Sequence, residues 1–297
     1  MRVVVTGSSG LIGSALVRSL RADGHDVVRL VRRPPAAPDE RQWEPTRRTI
    51  DEGALDGATA VVHLAGAGIG DRRWTDDYKR TVLRSRVDST ETIARALASA
   101  DDGPRVLLSG SAVGFYGDTG EDAVDEEASR GRGFLADVVE QWERATAPAS
   151  DAGVRVVHLR SGIVLSADGG ALGKMLPLFK LGLGGRLGSG RQWMSWIALP
   201  DHIAALRFLL SRDDVTGPVN VTAPEPVRNR DYTKAIARAV HRPAATVVPS
   251  TALRLAVGGF ADEGVLVSQR VVPSRLEQAG FSFTYDDVDA ALGALVG

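Results

Sequence analysis

The chemistry-bearing residues begin at Thr6-Gly7-Ser8-Ser9-Gly10-Leu11-Ile12-Gly13. An apolar β-branched run, Val3 to Val5, breaks into these glycines, and an amphipathic helical pattern starts at once. Gly7 permits a tight turn, Gly10 lets the backbone approach a pyrophosphate, and Gly13 lets the helix pack close to the strand. The first N–H groups of the helix and its positive dipole end would then face the phosphates. A second apolar run, Val27 to Val31, follows at the right distance and ends in Arg32-Arg33-Pro34. Folds that bind NAD place an acidic residue at that point for the ribose 2′-hydroxyl. Two guanidinium forks suit a 2′-phosphate instead, so the pattern predicts NADP(H). The alternatives are a strand–turn–helix whose glycines serve packing alone, and two solvated arginines ahead of the Pro34-Pro35 break.

Behind this loop stand the elements that must hold it. Residues 11–22 read as a helix with Leu11, Ile12, Leu16, Val17 and Leu20 on one face. Residues 35–58 are polar and proline-rich, with a short strand expected near Thr49-Ile50. Residues 59–64 read as a buried strand ending in Ala65-Gly66-Ala67-Gly68, where small residues would let an adenosine or ribose lie on the backbone. A simple tight turn is the other reading. Thr75 caps a helix expected to run to about residue 99, with Asp76 and Asp77 in its first turn. Lys79, Arg84 and Arg86 lie on it, and charges on such a helix are ordinarily solvated. Residues 104–109 form a strand leading into Gly110-Ser111-Ala112-Val113-Gly114-Phe115-Tyr116-Gly117. The acidic run Glu121 to Glu127 reads as a solvated loop, residues 133–148 as a helix, and Val154 to Leu159 as a strand.

Strands alternating with helices predict an α/β protein with a doubly wound parallel sheet. Ligands of such sheets sit at the carboxyl ends of the strands. Gly7 to Gly13, Ala65-Gly66, Ser109 to Ser111 and Ser161 to Ile163 all fall there. From Ala167 to Gln192 the chain turns Gly-rich, which suits either a mobile lid or an irregular packing segment. A helix over Ile203 to Leu210, N-capped by Asp201, would return to the sheet. The expected division is residues 1–166 plus 199–214 as the NADP(H)-binding domain. Residues 167–198 plus 215–297, including a strand at Val219 to Val221, form a smaller α+β substrate lobe.

Composition narrows the function classes. The 297 residues carry a net charge of −1, which gives no reason to expect nucleic acid or an anionic membrane as partner. With no cysteine, disulfides, thiol nucleophiles and Cys-ligated metals are excluded. The histidines are scattered and no motif indicates a metal. Met1-Arg2 runs straight into the first strand, and no apolar run approaches the ~18 residues that span a bilayer. A cytoplasmic protein acting on a small molecule is expected. The oligomeric state leaves no signature.

With these motifs in place, the sequence resembles the extended short-chain dehydrogenase/reductase superfamily, in particular its atypical epimerase/dehydratase-like branch. Thr6-Gly7-x-x-Gly10-x-x-Gly13 carries the resemblance, as do Leu64-Ala65-Gly66, Arg73-Trp74 with Lys79 and Ser85-Arg86, and Ser111-Ala112-Val113-Gly114-x-Tyr116-Gly117. Trp142-Glu143, Arg160-Ser161-Gly162-Ile163-Val164-Leu165, Lys174-Met175-Leu176-Pro177 and Ala223-Pro224-Glu225-Pro226 extend it along the chain. The resemblance implies a Rossmann-type fold and an NADP(H) site. That site would comprise the glycine loop with Ser9, Leu11 and Ile12, then Arg32, Leu64, Ala65, Arg86 and Ile163. One departure is Ala198, where the branch tends to have His; His202 stands nearby.

A larger departure concerns the acid/base pair. Enzymes of the superfamily use Ser or Thr with Tyr-x-x-x-Lys. Here the tyrosines are 78, 116, 232 and 285, followed four residues on by Val82, Gly120, Ile236 and Asp289. The aligned positions, near Leu135 and Val139, are apolar. A positioned acid/base contributes roughly 10²–10⁴-fold. Ser111 aligns with the catalytic serine, although the segment to Tyr116 is one residue longer than usual. Tyr116 is the nearest phenol and Lys79 the candidate ammonium, with Asp118 and His202 as outside candidates. The alternatives are a Ser111 bonded to the backbone and a Tyr116 packed in the core. The expected activity is NADP(H)-dependent oxidoreductase or epimerase-like chemistry on a small polar substrate. The alternatives are an NADPH-binding sensor or structural protein without turnover, and, from family labels alone, a nucleotide-sugar epimerase or dehydratase.

Overall fold

The computed structural model describes residues 1–100 and 102–296. Val3, Val4 and Val5 are fully buried, which is the signature of a strand covered on both faces. That strand, β1 (Arg2–Thr6), lies inside an eight-stranded sheet with β2 (Asp26–Val31), β3 (Glu40–Glu44), β4 (Thr49–Ile50), β5 (Ala60–His63) and β6 (Val106–Ala112). The strands Arg155–Ser161 and Gly217–Val221 complete it. From β1 the sheet grows through β2, β3 and β4 on one side. On the other it grows through β5, β6, Arg155–Ser161 and Gly217–Val221. All pairings are parallel except β3 with β4. The order reverses between β1 and β5, the switch point at whose carboxyl ends sheets of this kind bind their ligands.

Helices cover both faces. α1 (Leu11–Ala22) and the helix Leu199–Leu210 bury Leu16, Val17, Leu20, Leu206 and Leu209 against one face. α2 (Asp76–Ala98) buries Ile93, Ala94 and Leu97 against the other. Its N-cap is Thr75, whose hydroxyl accepts from the Tyr78 N–H. A smaller lobe has its own core of Leu172, Leu176, Phe179, Trp196, Tyr232, Ile236 and Leu292.

Five local expectations change. β3 falls in the stretch where only the short strand at Thr49-Ile50 was expected. The strand Gly217–Val221 belongs to the main sheet rather than to the lobe, in register with Arg155–Ser161. The helix expected over 133–148 is two helices, α3 (Phe134–Arg144) and Ala147–Asp151, with Pro148 in the first turn of the second. The stretch expected to be a solvated acidic loop holds the strand Ala123–Val124, paired with Arg270–Val271, and a buried Glu126 that accepts from the Asn220 N–H at 2.8 Å. Asp201 does not cap the start of its helix; it is buried in the first turn and accepts from the Thr284 and Tyr285 N–H groups, both at 2.9 Å. Of the two readings of the Gly-rich stretch, packing fits better. Gly170–Lys180 is a helix whose Leu172, Leu176 and Phe179 fill the lobe core, and Gly185–Leu187 pairs with Thr246–Val248.

Candidate functional site

The rim above β1 and β5 is built by close backbone contacts. Gly7 has φ +66°, and a Cβ there would lie 2.7 Å from the Leu64 carbonyl oxygen. A Cβ on Gly13 would lie 2.2 Å from the Gly7 oxygen. Only glycine permits both contacts. At Gly10 a Cβ would meet only the Gly7 oxygen, at a tight 3.3 Å, and the residue is otherwise exposed. Ser9 and Gly10 are exposed at the turn, with Leu11 and Ile12 opening α1.

Thr6 joins the two strands. Its hydroxyl accepts from the Leu64 and Ala65 N–H groups at 3.1 and 3.2 Å and donates to His63 Nδ1 at 2.8 Å. His63 Nε2 donates to Ser89 Oγ at 3.2 Å, and Ser89 donates to the Ser85 carbonyl at 2.7 Å. Burial pulls the His63 pKa down to about 3, so the ring is neutral and serves as a strut. The loop Ala65–Gly68 is held from α2. Ser85 accepts from the Ala67 N–H at 3.1 Å, and Arg86 donates to the Ala67 and Val82 carbonyls at 2.9 and 3.0 Å. Arg86 also lies over Trp142, 5.0 Å from the ring centroid, and burial lowers its pKa to about 10. It supports the rim from beneath.

The two arginines after β2 separate in role. Arg33 donates to both oxygens of the buried Glu40 at 2.7 and 2.8 Å. That bond, with the Ala36 N–H, holds the Glu40 pKa at about 2. Arg32 is exposed and has no hydrogen bond or ion pair among the described residues. Arg33 is therefore engaged within the protein, and Arg32 is the fork that faces outward.

Ser111 stands at the carboxyl end of β6, opposite Arg160 on the neighbouring strand. Its hydroxyl does not bond the backbone. It donates to Glu143 Oε1 at 2.6 Å. Arg160 clamps the same carboxylate through Nε and Nη2, each at 2.8 Å, and donates to the Tyr116 hydroxyl at 3.0 Å. Tyr116 donates onward to Asn220 Oδ1 at 2.7 Å. Burial would raise the Glu143 pKa, but the Arg160 bonds, the nearby charges and the Ser111 hydroxyl outweigh it, and the carboxyl titrates below its ordinary value. Tyr116 is 3% exposed, and burial raises its pKa. It does not meet Lys79, whose ammonium lies over Trp74 and Phe134 instead.

The remaining candidates are scattered. Ser109 is fully buried within β6 and reaches only the Gly110 carbonyl, at 3.4 Å. Ile163 is half-buried at the start of a short strand, its N–H bonded to the Ser195 carbonyl at 2.8 Å. Asp118 accepts from the Gly120 N–H at 2.9 Å in its own turn. His202 is fully buried beside Ser161 Oγ at 2.9 Å, and burial lowers its pKa to about 4. Sequence reasoning gave Glu143 and Arg160 no role. A signal existed: Glu143 stands one helical turn after Val139, on the face where the acid/base pair would sit.

A mostly parallel sheet with a glycine turn at its switch point defines a Rossmann-type protein of the short-chain dehydrogenase/reductase kind. Residues 3–222 match the NAD dependent epimerase/dehydratase family, and residues 248–295 match a domain of unknown function, DUF1731. The chain belongs to the NAD dependent epimerase/dehydratase family. It is 50% identical over 291 residues to the epimerase family protein Mb2239 of Mycobacterium bovis, covering 98% of this chain and 96% of that one. It is 36% identical to the epimerase family protein MW0731 of Staphylococcus aureus over 298 residues, covering 99% and 98%. Its structure matches that of the human epimerase family protein SDR39U1 (isoform 2) with NADPH, at TM-score 0.92 and 33% identity, covering 100% and 99%. It also matches the nucleoside-diphosphate sugar epimerase of Corynebacterium glutamicum, at TM-score 0.83 and 38% identity, covering 100% of this chain and 58% of that one. No helix among the described residues is long and apolar enough to cross a membrane.

Proposed function

We propose that the chain binds NADP(H) across the rim between β1 and β5 and uses it in oxidoreductase or epimerase-like chemistry on a small polar substrate. The observation that carries this reading is the exposed, unpaired Arg32 just after β2, the strand beside the one that leads into the glycine turn. The NADPH of the human neighbour supports it. When bound, the nicotinamide supplies hydride transfer. The chain's own part is to hold the phosphates on Ser9, Gly10, Leu11 and Ile12, the 2′-phosphate on Arg32, and the ribose side on Leu64 to Gly66. Ile163 would wall the nicotinamide end.

Ser111 is the polar group assigned to the reacting end. Its proton points at a carboxylate that stays ionised, so it presents lone pairs to a substrate rather than a hydrogen. A second reading, NADPH binding without turnover, rests on a specific observation: Leu135 and Val139 are apolar, and the Tyr116 hydroxyl is locked between Arg160 and Asn220. The name of the Corynebacterium neighbour puts nucleotide sugars into any substrate panel.

Gly10→Val tests the binding half. Its Cβ would meet only the Gly7 oxygen, at a tight 3.3 Å, so the melting temperature, measured alongside, should fall by no more than a few degrees while the cofactor site is blocked. NADPH affinity should fall at least about tenfold, a loss near 1.4 kcal/mol. Undiminished NADPH affinity in this variant would overturn the assignment of the loop. Turnover in the parent that disappears in Ser111→Ala, with NADPH still bound, would decide for the enzyme.

A further inference from the structure

Lys79 differs from the other lysines of the chain. There are four, and Lys174, Lys180 and Lys234 are exposed, Lys174 and Lys234 being paired with Asp71 and Asp231. Lys79 is half-buried in the first turn of α2, and its ammonium has no oxygen partner among the described residues. It lies 5.1 Å from the ring centroid of Phe134 and 5.5 Å from that of Trp74. Trp74 is itself fixed. Its ring packs edge-on against Phe134 at 5.2 Å and tilted against Phe260 at 5.4 Å, and Nε1 donates to the Ile69 carbonyl at 2.8 Å.

The place matters as much as the box. Phe260 comes from the C-terminal region, whose Val257 carbonyl accepts from the Trp74 N–H at 3.2 Å. Phe134 is the first residue of α3, directly before Leu135, near which the superfamily resemblance would put the acid/base pair. Arg86, which supports the cofactor rim, lies two helical turns along α2 on the same face as Lys79. Of the nearby carboxylates, Glu263 accepts from the Leu135 N–H at 2.9 Å and Asp77 pairs with Arg80, while Asp76 stands in the same helical turn; none forms an ion pair with Lys79 among the described residues. An ammonium held on aromatic faces without an ion-pair partner among the described residues keeps its donors available to an anion.

We propose that Lys79, boxed by Trp74 and Phe134 at the junction of the sheet domain and the C-terminal region, binds the anionic oxygen group of the substrate. The apolar rings around it fit a small organic acid with a planar or apolar body. This rests on the substrate lying beside the cofactor as proposed above, and it narrows the substrate class to anions.

The four lysines make a direct test practical. The full chain, labelled with carbon-13 at the lysine ε-carbons and with NADPH present or absent, is titrated with benzoate, inorganic phosphate and the neutral benzyl alcohol. The Lys79 signal, displaced by the ring currents and identified by its loss in Lys79→Met, should move saturably with an anion while the Lys180 signal stays still. Movement with benzoate assigns a carboxylate, and movement with phosphate alone assigns a phosphate ester. By tryptophan fluorescence, the affinity for the anion should fall about tenfold in Lys79→Met and survive in Lys79→Arg. A Lys79 signal that ignores both anions, or moves in step with Lys180, overturns the proposal. Nicotinamide fluorescence reports NADPH binding in the same samples, so a failure of the cofactor site is seen separately.

Discussion

Glu143→Ala should destabilise the chain by about 3–5 kcal/mol, read from the midpoint of urea unfolding at neutral pH. The loss follows from what stays behind. The Arg160 side chain is 5% exposed and would keep its charge with no carboxylate to meet it. The Ser111 hydroxyl would lose its acceptor, and the guanidinium beside Tyr116 would lose the carboxylate that orients it. Removing both charges tells the two contributions apart. Glu143→Leu combined with Arg160→Met should recover much of the loss, because well-packed apolar residues often replace a buried pair at little cost. The pH dependence has a definite sign. The folded carboxyl titrates below its ordinary 4.5, so its contribution is complete above that value and is lost as pH falls through the folded pKa. A loss under about 1 kcal/mol for Glu143→Ala would mean that the pair is solvated, as at a protein surface.

Arg32→Ala should lower NADPH affinity by roughly ten- to hundred-fold and leave NADH affinity unchanged. A charge-assisted bond to the 2′-phosphate is worth about 1.5–3 kcal/mol, and NADH has no such phosphate. Arg33→Ala should behave differently. Arg33 neutralises the buried Glu40, so its removal weakens the β2–β3 edge and acts on folding more than on cofactor choice. Equal losses for NADPH and NADH in Arg32→Ala would place the arginine elsewhere on the ligand.

The sequence made the β1–α1–β2 unit legible because each part carries a local cause: a continuous apolar run, glycines where the backbone closes, and a helical stripe. Thr75 announced α2 in the same way. β3 is hidden in the sequence because Glu40-Arg41-Gln42-Trp43-Glu44 holds a single large apolar residue, and Glu40 is buried against Arg33, Arg29 and the Ala36 N–H. The run from Glu121 looked solvated for a similar reason, since the partners of Glu126 are the distant Asn220 and Arg275 backbones. Gly217–Val221 shows no sequence sign of the main sheet because its neighbour there lies some sixty residues earlier. Arg32 and Arg33 read alike until Glu40 distinguished them. Tyr116 looked like a phenol beside a catalytic serine, and its engagement with Asn220 and Arg160 depends on three separate strands and loops meeting.

The most direct measurement is a titration of the purified full chain with NADPH and NADH side by side, following tryptophan quenching and sensitised nicotinamide fluorescence. Five tryptophans serve as donors. NADPH should bind at least about tenfold more tightly than NADH, as one 2′-phosphate contact to Arg32 requires. If neither nucleotide binds at millimolar concentration, the glycine turn serves packing alone and the proposed function falls.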